Sequence, residues 1–167
     1  ADAKEAEAAV LAAIDYQGPV YIRLGRAETK DIHDDSYHFE WGKAEVLRQG
    51  SDVTIFATGI MTAKALDAAE TLAKQGVQAE VINVHTIKPW DKETVIASAK
   101  KTGKVVTAEE HSIIGGLGSA VAEVLARQCP TKQAFVGVQD SFGESGSPND
   151  LLEKYGLTTE AIVKAAV

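Results

Sequence analysis

Apolar and polar positions follow two periods along this chain, and together they predict most of its elements. Over residues 3–15, Ala6, Ala9, Val10, Ala13 and Ile14 make one apolar stripe at helical spacing. Gly18-Pro19 breaks the stripe, and Val20-Tyr21-Ile22-Arg23-Leu24 reads as a strand. Residues 27–42 are polar, with Asp31, His33, Asp34, Asp35, Ser36 and His38 ahead of Phe39 and Trp41. They read as a linker crossing a surface. The His-Asp-Asp cluster lacks the spacing of a fixed ligand set and reads as solvated loop.

From Lys43 onward the alternation is regular. Lys43–Arg48 is a short strand, Gln49-Gly50-Ser51-Asp52 a turn and Val53–Ala57 a buried strand, so the pair is predicted as an antiparallel hairpin. A helix follows over about 60–75, stopped by Lys74 and Gly76. Ala79–Val84 is the next strand. Asp91 caps a helix that turns Val95, Ile96 and Ala99 to one side and ends at Gly103. Val105–Ala108 is a strand, Gly116–Gln128 a helix with Leu117, Val121, Val124 and Leu125 inward, and Ala134–Val138 the last strand. Ser147 and Pro148 open a short helix, and Thr158 caps a final one.

Repeated strand–helix units of this length predict an α/β fold. The expectation is a three-layer α/β/α domain with a five-stranded, mostly parallel sheet and one antiparallel strand near Lys43–Arg48 or its hairpin partner. Parallel strands share one C-terminal edge. That edge would carry Thr58-Gly59, His85-Thr86, Glu109-Glu110-His111 and Gln139-Asp140, and it is the first place to seek a ligand or partner.

Glu109, Glu110 and His111 are the densest chemistry on that edge. Paired carboxylates beside an imidazole suit acid–base work or an ion-pair cluster. Consecutive residues on a strand point to opposite faces, however, so at most two of the three share a site, and a structural or interface role stands beside the catalytic one. His85 reads the same way. The glycines of Gly115-Gly116-Leu117-Gly118 fit either a tight turn or close approach of an anion or backbone. They lack both a Walker lysine and the dinucleotide spacing, and Ser119 sits on no nucleophile elbow. Arg23 and Arg26 flank Gly25 at the end of the first predicted strand, which suits a phosphate. For Arg26, a surface pairing with Glu28 is the alternative.

Composition narrows the class. With 167 residues, 45% hydrophobic and 25% charged, the chain is long enough for one full core. No apolar run approaches a membrane span. A net charge of −7 disfavours nucleic acid and anionic membrane as partners. The single cysteine, Cys129, excludes an internal disulfide and fits a reducing compartment; with no signal-peptide pattern, a cytoplasmic location is expected. Residue 1 is Ala, and the first helix and strand are too little for a domain. Residues 1–30 therefore read as the last α–β piece of a preceding domain, 31–42 as a linker and 43–167 as the main domain.

Five stretches, in order, resemble the C-terminal region of transketolases: Gly18–Arg26 (GPVYIRLGR), Gly50–Gly59 (GSDVTIFATG), Asn83–Asp91 (NVHTIKPWD), Thr107–Gly118 (TAEEHSIIGGLG), and Phe142–Gly146 (FGESG) with Leu151–Leu157 (LLEKYGL). They span nearly the whole chain. His111 after the glutamate pair, and the FGESG segment, are most similar to split transketolases. Deoxyxylulose-phosphate synthase and the 2-oxoacid dehydrogenase β subunits share the Glu-Glu, Gly-Gly-x-Gly corner and stand as alternatives, as does a free-standing binding or regulatory module.

The resemblance implies an enzyme of the pentose phosphate pathway type, moving two-carbon ketol units between sugar phosphates with thiamine diphosphate and Mg2+. It implies that those groups sit on other domains, so that this chain alone binds neither and is inactive. Residues 1–30 would then end a pyrimidine-binding domain. An N-terminal transketolase portion or subunit would be the partner, and a homodimer the assembly. Arg26 matches the arginine that meets the substrate phosphate. No catalytic residue is carried over. His85, Glu109, Glu110 and His111 remain edge or interface candidates.

Overall fold

The computed structural model describes residues 1–167. Its elements are α1 (Ala3–Ile14), β1 (Glu45–Arg48), β2 (Val53–Ala57), α2 (Met61–Lys74), β3 (Ala79–Asn83), α3 (Lys92–Thr102), β4 (Lys104–Ser112), α4 (Leu117–Gln128), β5 (Lys132–Val138), α5 (Pro148–Lys154) and α6 (Thr159–Ala166). The five strands form one sheet in the order β1-β3-β2-β4-β5, parallel throughout except for β1 against β3.

The sheet is covered on both faces because its central strands are apolar on both. On β2, Val53, Ile55 and Ala57 face the layer of α2 and α6, while Phe56 faces that of α3 and α4. Met61, Ala65, Ala68 and Leu72 of α2 with Ile162 and Ala166 of α6 fill the first layer; Val95 and Ala99 of α3 with Leu117, Val121 and Leu125 of α4 fill the second. Burial of this kind removes apolar surface worth roughly 25 cal/mol per Å² from water. The caps follow the sequence: Asp91 accepts from the Thr94 N–H at 3.1 Å, Ser147 precedes Pro148, and Thr158 accepts from Ala161.

Three expectations are corrected. Residues 20–24 join no ladder, because no strand of this chain lies beside them to satisfy a row of N–H and C=O groups. The expected β1–β2 hairpin does not form; β1 lies against β3. After β1 the chain crosses the start of β3, where the Ser51 and Asp52 N–H groups donate to the Gln78 carbonyl at 3.0 Å. It then enters β2, leaving β3 between the two. Gly50 makes that crossing possible, since a β-carbon there would lie 2.2 Å from the Ala79 carbonyl carbon. Finally, β4 runs to Ser112 instead of ending at Ala108. Its ladder with β5 is irregular between Ala108 and Ser112.

Candidate functional site at the strand ends

The extension of β4 places Glu109, Glu110 and His111 inside a strand, so alternation turns Glu110 away from Glu109 and His111. Glu109 is buried, 1% exposed. Its carboxylate accepts the Leu117 N–H at 2.7 Å and the Gly118 N–H at 2.8 Å, which makes it the cap of α4, whose own preceding residue, Gly116, has no side chain to do so. Burial pushes its carboxyl above the ordinary range, against the pull of the two N–H groups. His111 or His85 would be the expected partner of a buried carboxylate here. Backbone N–H groups take that place, because the helix start presents free donors at close range; His111 Nδ1 stands 3.9 Å away. Glu110 points outward and is exposed.

His111 is half-buried and reaches the other way, to the guanidinium of Arg23, which bonds to its Nε2. Burial, and then the charge of Arg23, hold the imidazole below its ordinary value. A neutral ring with an acceptor nitrogen toward Arg23 fits that contact. The segment after α1 is thereby tied to the end of β4. His85 lies half-buried beyond β3. Its Nδ1 meets the Thr86 hydroxyl at 2.7 Å, its ring stands 4.5 Å from that of Phe39, and burial holds it below the ordinary histidine value. His85 joins no cluster with Glu109, and His111, although its Nδ1 lies 3.9 Å from Glu109, takes its hydrogen bond from Arg23.

Arg26 is exposed and makes no ion pair with Glu28 or any other carboxylate, and Arg23 likewise meets none. In a chain of net charge −7, Arg23 and Arg26 are two cations without acidic partners, and Arg23 stands at the end of β4 beside His111. No group of three or more His, Cys, Asp or Glu side chains converges on a point that would hold a metal ion. No helix is long and apolar enough to cross a membrane.

A second polar cluster lies beside the end of β3, where Glu5 meets Asn83 and Glu45 pairs with Asn83 across the ladder, and sequence patterning misses it. Asp2, Glu5 and His33 are all buried, although His33 falls in a stretch expected to be solvated loop. His33 is enclosed because Asp2 takes its backbone N–H at 2.8 Å and its Nδ1 at 2.9 Å, while Glu45 takes Nε2 at 2.9 Å. The one readable signal is Asp2 three residues before Glu5, the pattern of a helix cap.

Residues 42–162 match the family described as "Transketolase, C-terminal domain". The chain belongs to the transketolase family. It is 55% identical over 165 residues to the 6-deoxy-6-sulfo-D-fructose transketolase subunit SqwH of Clostridium sp. (strain MSTE9), covering 99% of this chain and 51% of that protein. It is 38% identical over 167 residues to one of the subunits of the apulose-4-phosphate transketolase of Phocaeicola vulgatus (strain ATCC 8482), covering 99% of this chain and 53% of the other. The 1-deoxy-D-xylulose-5-phosphate synthase of Desulforudis audaxviator (strain MP104C) is 37% identical over 169 residues, which are 27% of its length. A solved "split gene transketolase, inactive beta4 tetramer" superposes with a TM-score of 0.96 at 53% identity, over 99% of this chain and 55% of that one. This transketolase chain thus spans about half the length of the two transketolase relatives, 51% and 53%.

Proposed function

We propose that the chain is the C-terminal portion of a ketol-transferring transketolase, and that it supplies a cationic contact to the substrate and a surface for assembly. The observation that carries this reading is the exposed, unpaired Arg26, three residues beyond the Arg23 that meets His111 at the end of β4, in a chain whose relatives include a transketolase subunit at 55% identity. The substrates are sugar phosphates or sugars with a comparable terminal oxyanion. The names of the two transketolase relatives specify a sulfo-sugar and a sugar phosphate, and a guanidinium fork suits the tetrahedral oxygens of either.

In this reading residues 1–30 close a preceding pyrimidine-binding domain, 31–42 link, and 43–167 are the transketolase C-terminal domain. Thiamine diphosphate and Mg2+ lie with the N-terminal portion, which is the required partner, and the chain by itself turns over nothing. The solved relative is described as an inactive tetramer, which supports association of copies without activity. We place the working unit as a homodimer.

The test uses the complete enzyme. Arg26→Ala is expected to raise KM for the anionic substrate about 10- to 100-fold, the range of one charge-assisted contact, with kcat little changed. An unchanged KM would return Arg26 to the solvated surface.

A further inference from the structure

Helix α1 is attached to the rest of the molecule in an unusual way. Its aliphatic side chains Val10, Leu11 and Ile14 are 45%, 56% and 75% exposed, and it packs only marginally against the sheet and its helices. What it buries is acidic: Asp2, its N-cap, and Glu5. Asp2 accepts from the Glu5 N–H through Oδ1 and from the Ile32 and His33 N–H groups through Oδ2, at 2.8–3.0 Å. His33 spans the gap from Asp2 to Glu45 on β1, the edge strand of the sheet, at 2.9 Å on each side. Glu5 continues the attachment, accepting from Asn83 at the end of β3 and from the Tyr37 hydroxyl.

An ionised carboxylate has no proton to give. His33 lies between two of them, so it can donate to both at once only as the imidazolium. A neutral ring can donate to only one of them: it either turns a lone pair onto the fully buried Asp2 or gives up the bond to Glu45, whose side chain is 35% exposed, and with it the tie to β1. We propose that Asp2, His33 and Glu45 form a proton-dependent latch that fastens α1 to the β1 edge of the sheet, and that loss of the ring proton frees α1 and loosens the Arg23–Arg26 segment that follows it.

The groups around the ring favour the closed form. From α1 come Asp2 and Glu5, together with the Lys4–Asp35 ion pair; the linker adds Asp34 and Tyr37, and β1 adds Glu45. Burial holds His85, beyond β3, below its ordinary value. Burial opposes the charge on His33, and the carboxylates on either side outweigh it, so the ring titrates above its ordinary value. A raised value means that the stabilisation is complete below the unfolded histidine value and is lost as pH rises through the folded one. The latch opens on the alkaline side.

Amide hydrogen exchange of α1 in the complete protein tests this, with α4 as an internal reference. From about pH 6 to about pH 9, protection of α1 relative to α4 is expected to fall about tenfold or more after correction for intrinsic exchange. In His33→Gln, which carries no positive charge at any pH, α1 should be poorly protected at every pH. In Glu45→Gln, which removes one charge and keeps an acceptor, the fall should begin at lower pH. Protection that is independent of pH in the unsubstituted protein, or a Glu45→Gln profile that overlays it, overturns the latch. Since Glu45→Gln keeps the acceptor, it decides the matter even where His33→Gln fails to fold.

Discussion

A β-carbon added to Gly116 would lie 2.0 Å from Glu109 Oε2. The glycine at the start of α4 is therefore a space left for the carboxylate that caps the helix from the neighbouring strand, and the two residues depend on each other. Glu109→Ala would leave two buried N–H groups without an acceptor and is expected to cost about 2–4 kcal/mol of folding stability in urea titrations. Gly116→Ala should approach that loss by displacing the same carboxylate. Glu110→Ala, one residue along and exposed, should stay within about 0.5 kcal/mol. Equal losses at 109 and 110 would contradict the separation of the two side chains onto opposite faces.

Gly50 makes the crossing that puts β3 between β1 and β2. Its β-carbon would lie 2.2 Å from backbone atoms of both Ala79 and Glu80, which cannot rotate away as a side chain can. Gly50→Ala is expected to destabilise by about 1–3 kcal/mol or more. Gly143→Ala, where an added β-carbon meets nothing within 4 Å, is the matched control. Comparable thermal unfolding of the two variants would show that the strand crossing tolerates a side chain.

Asp91 joins the linker to α3. One oxygen accepts the Thr94 N–H at 3.1 Å, and the other accepts the Thr94 hydroxyl at 2.8 Å and the Ala44 N–H at 3.0 Å. Burial raises its carboxyl, but the bonds from Ala44 and Thr94 outweigh burial and hold it below the ordinary aspartate value. A depressed value contributes stability that is present above the unfolded value and lost as pH falls through the folded one. Asp91→Ala should cost about 1–2 kcal/mol at neutral pH. The difference from the unsubstituted protein should shrink on acidification below about pH 4. A constant difference down to strong acid would mean that the charge of Asp91 is not what stabilises the cap.

Association is expected through the strand-end edge or residues 1–30, where Val10, Leu11, Ile14, Tyr21 and Ile114 are exposed. Light scattering at tens of micromolar should give at least a dimer. Glu110→Lys, which reverses an exposed charge on that edge, should weaken association through it by unfavourable charge placement. A monomer in the unsubstituted protein removes the dimer; a dimer indifferent to Glu110→Lys moves the contact elsewhere.

The sequence by itself determined the strand–helix alternation, the three-layer class and most helix starts. Those rest on local causes: Ile55 and Phe56 face opposite layers because a strand has period two, and Asp91, Ser147 and Thr158 cap helices whose first N–H groups lie within three residues of them. The family was legible too, since its motifs are runs of consecutive residues. Only the tertiary structure decided what depends on contacts distant in sequence. Whether β1 pairs with β2 or β3 turns on how closely Gly50 passes Ala79. Whether Val20–Leu24 is a strand turns on whether a partner strand lies beside it. The role of Glu109 turns on N–H groups at Leu117 and Gly118, and the burial of His33 on Asp2 and Glu45, which arrive from opposite sides of it in the chain. Periodicity gives the face on which a polar side chain starts. The donor or acceptor it meets there is set by how the elements pack, because a buried charge persists only where the fold brings it a partner.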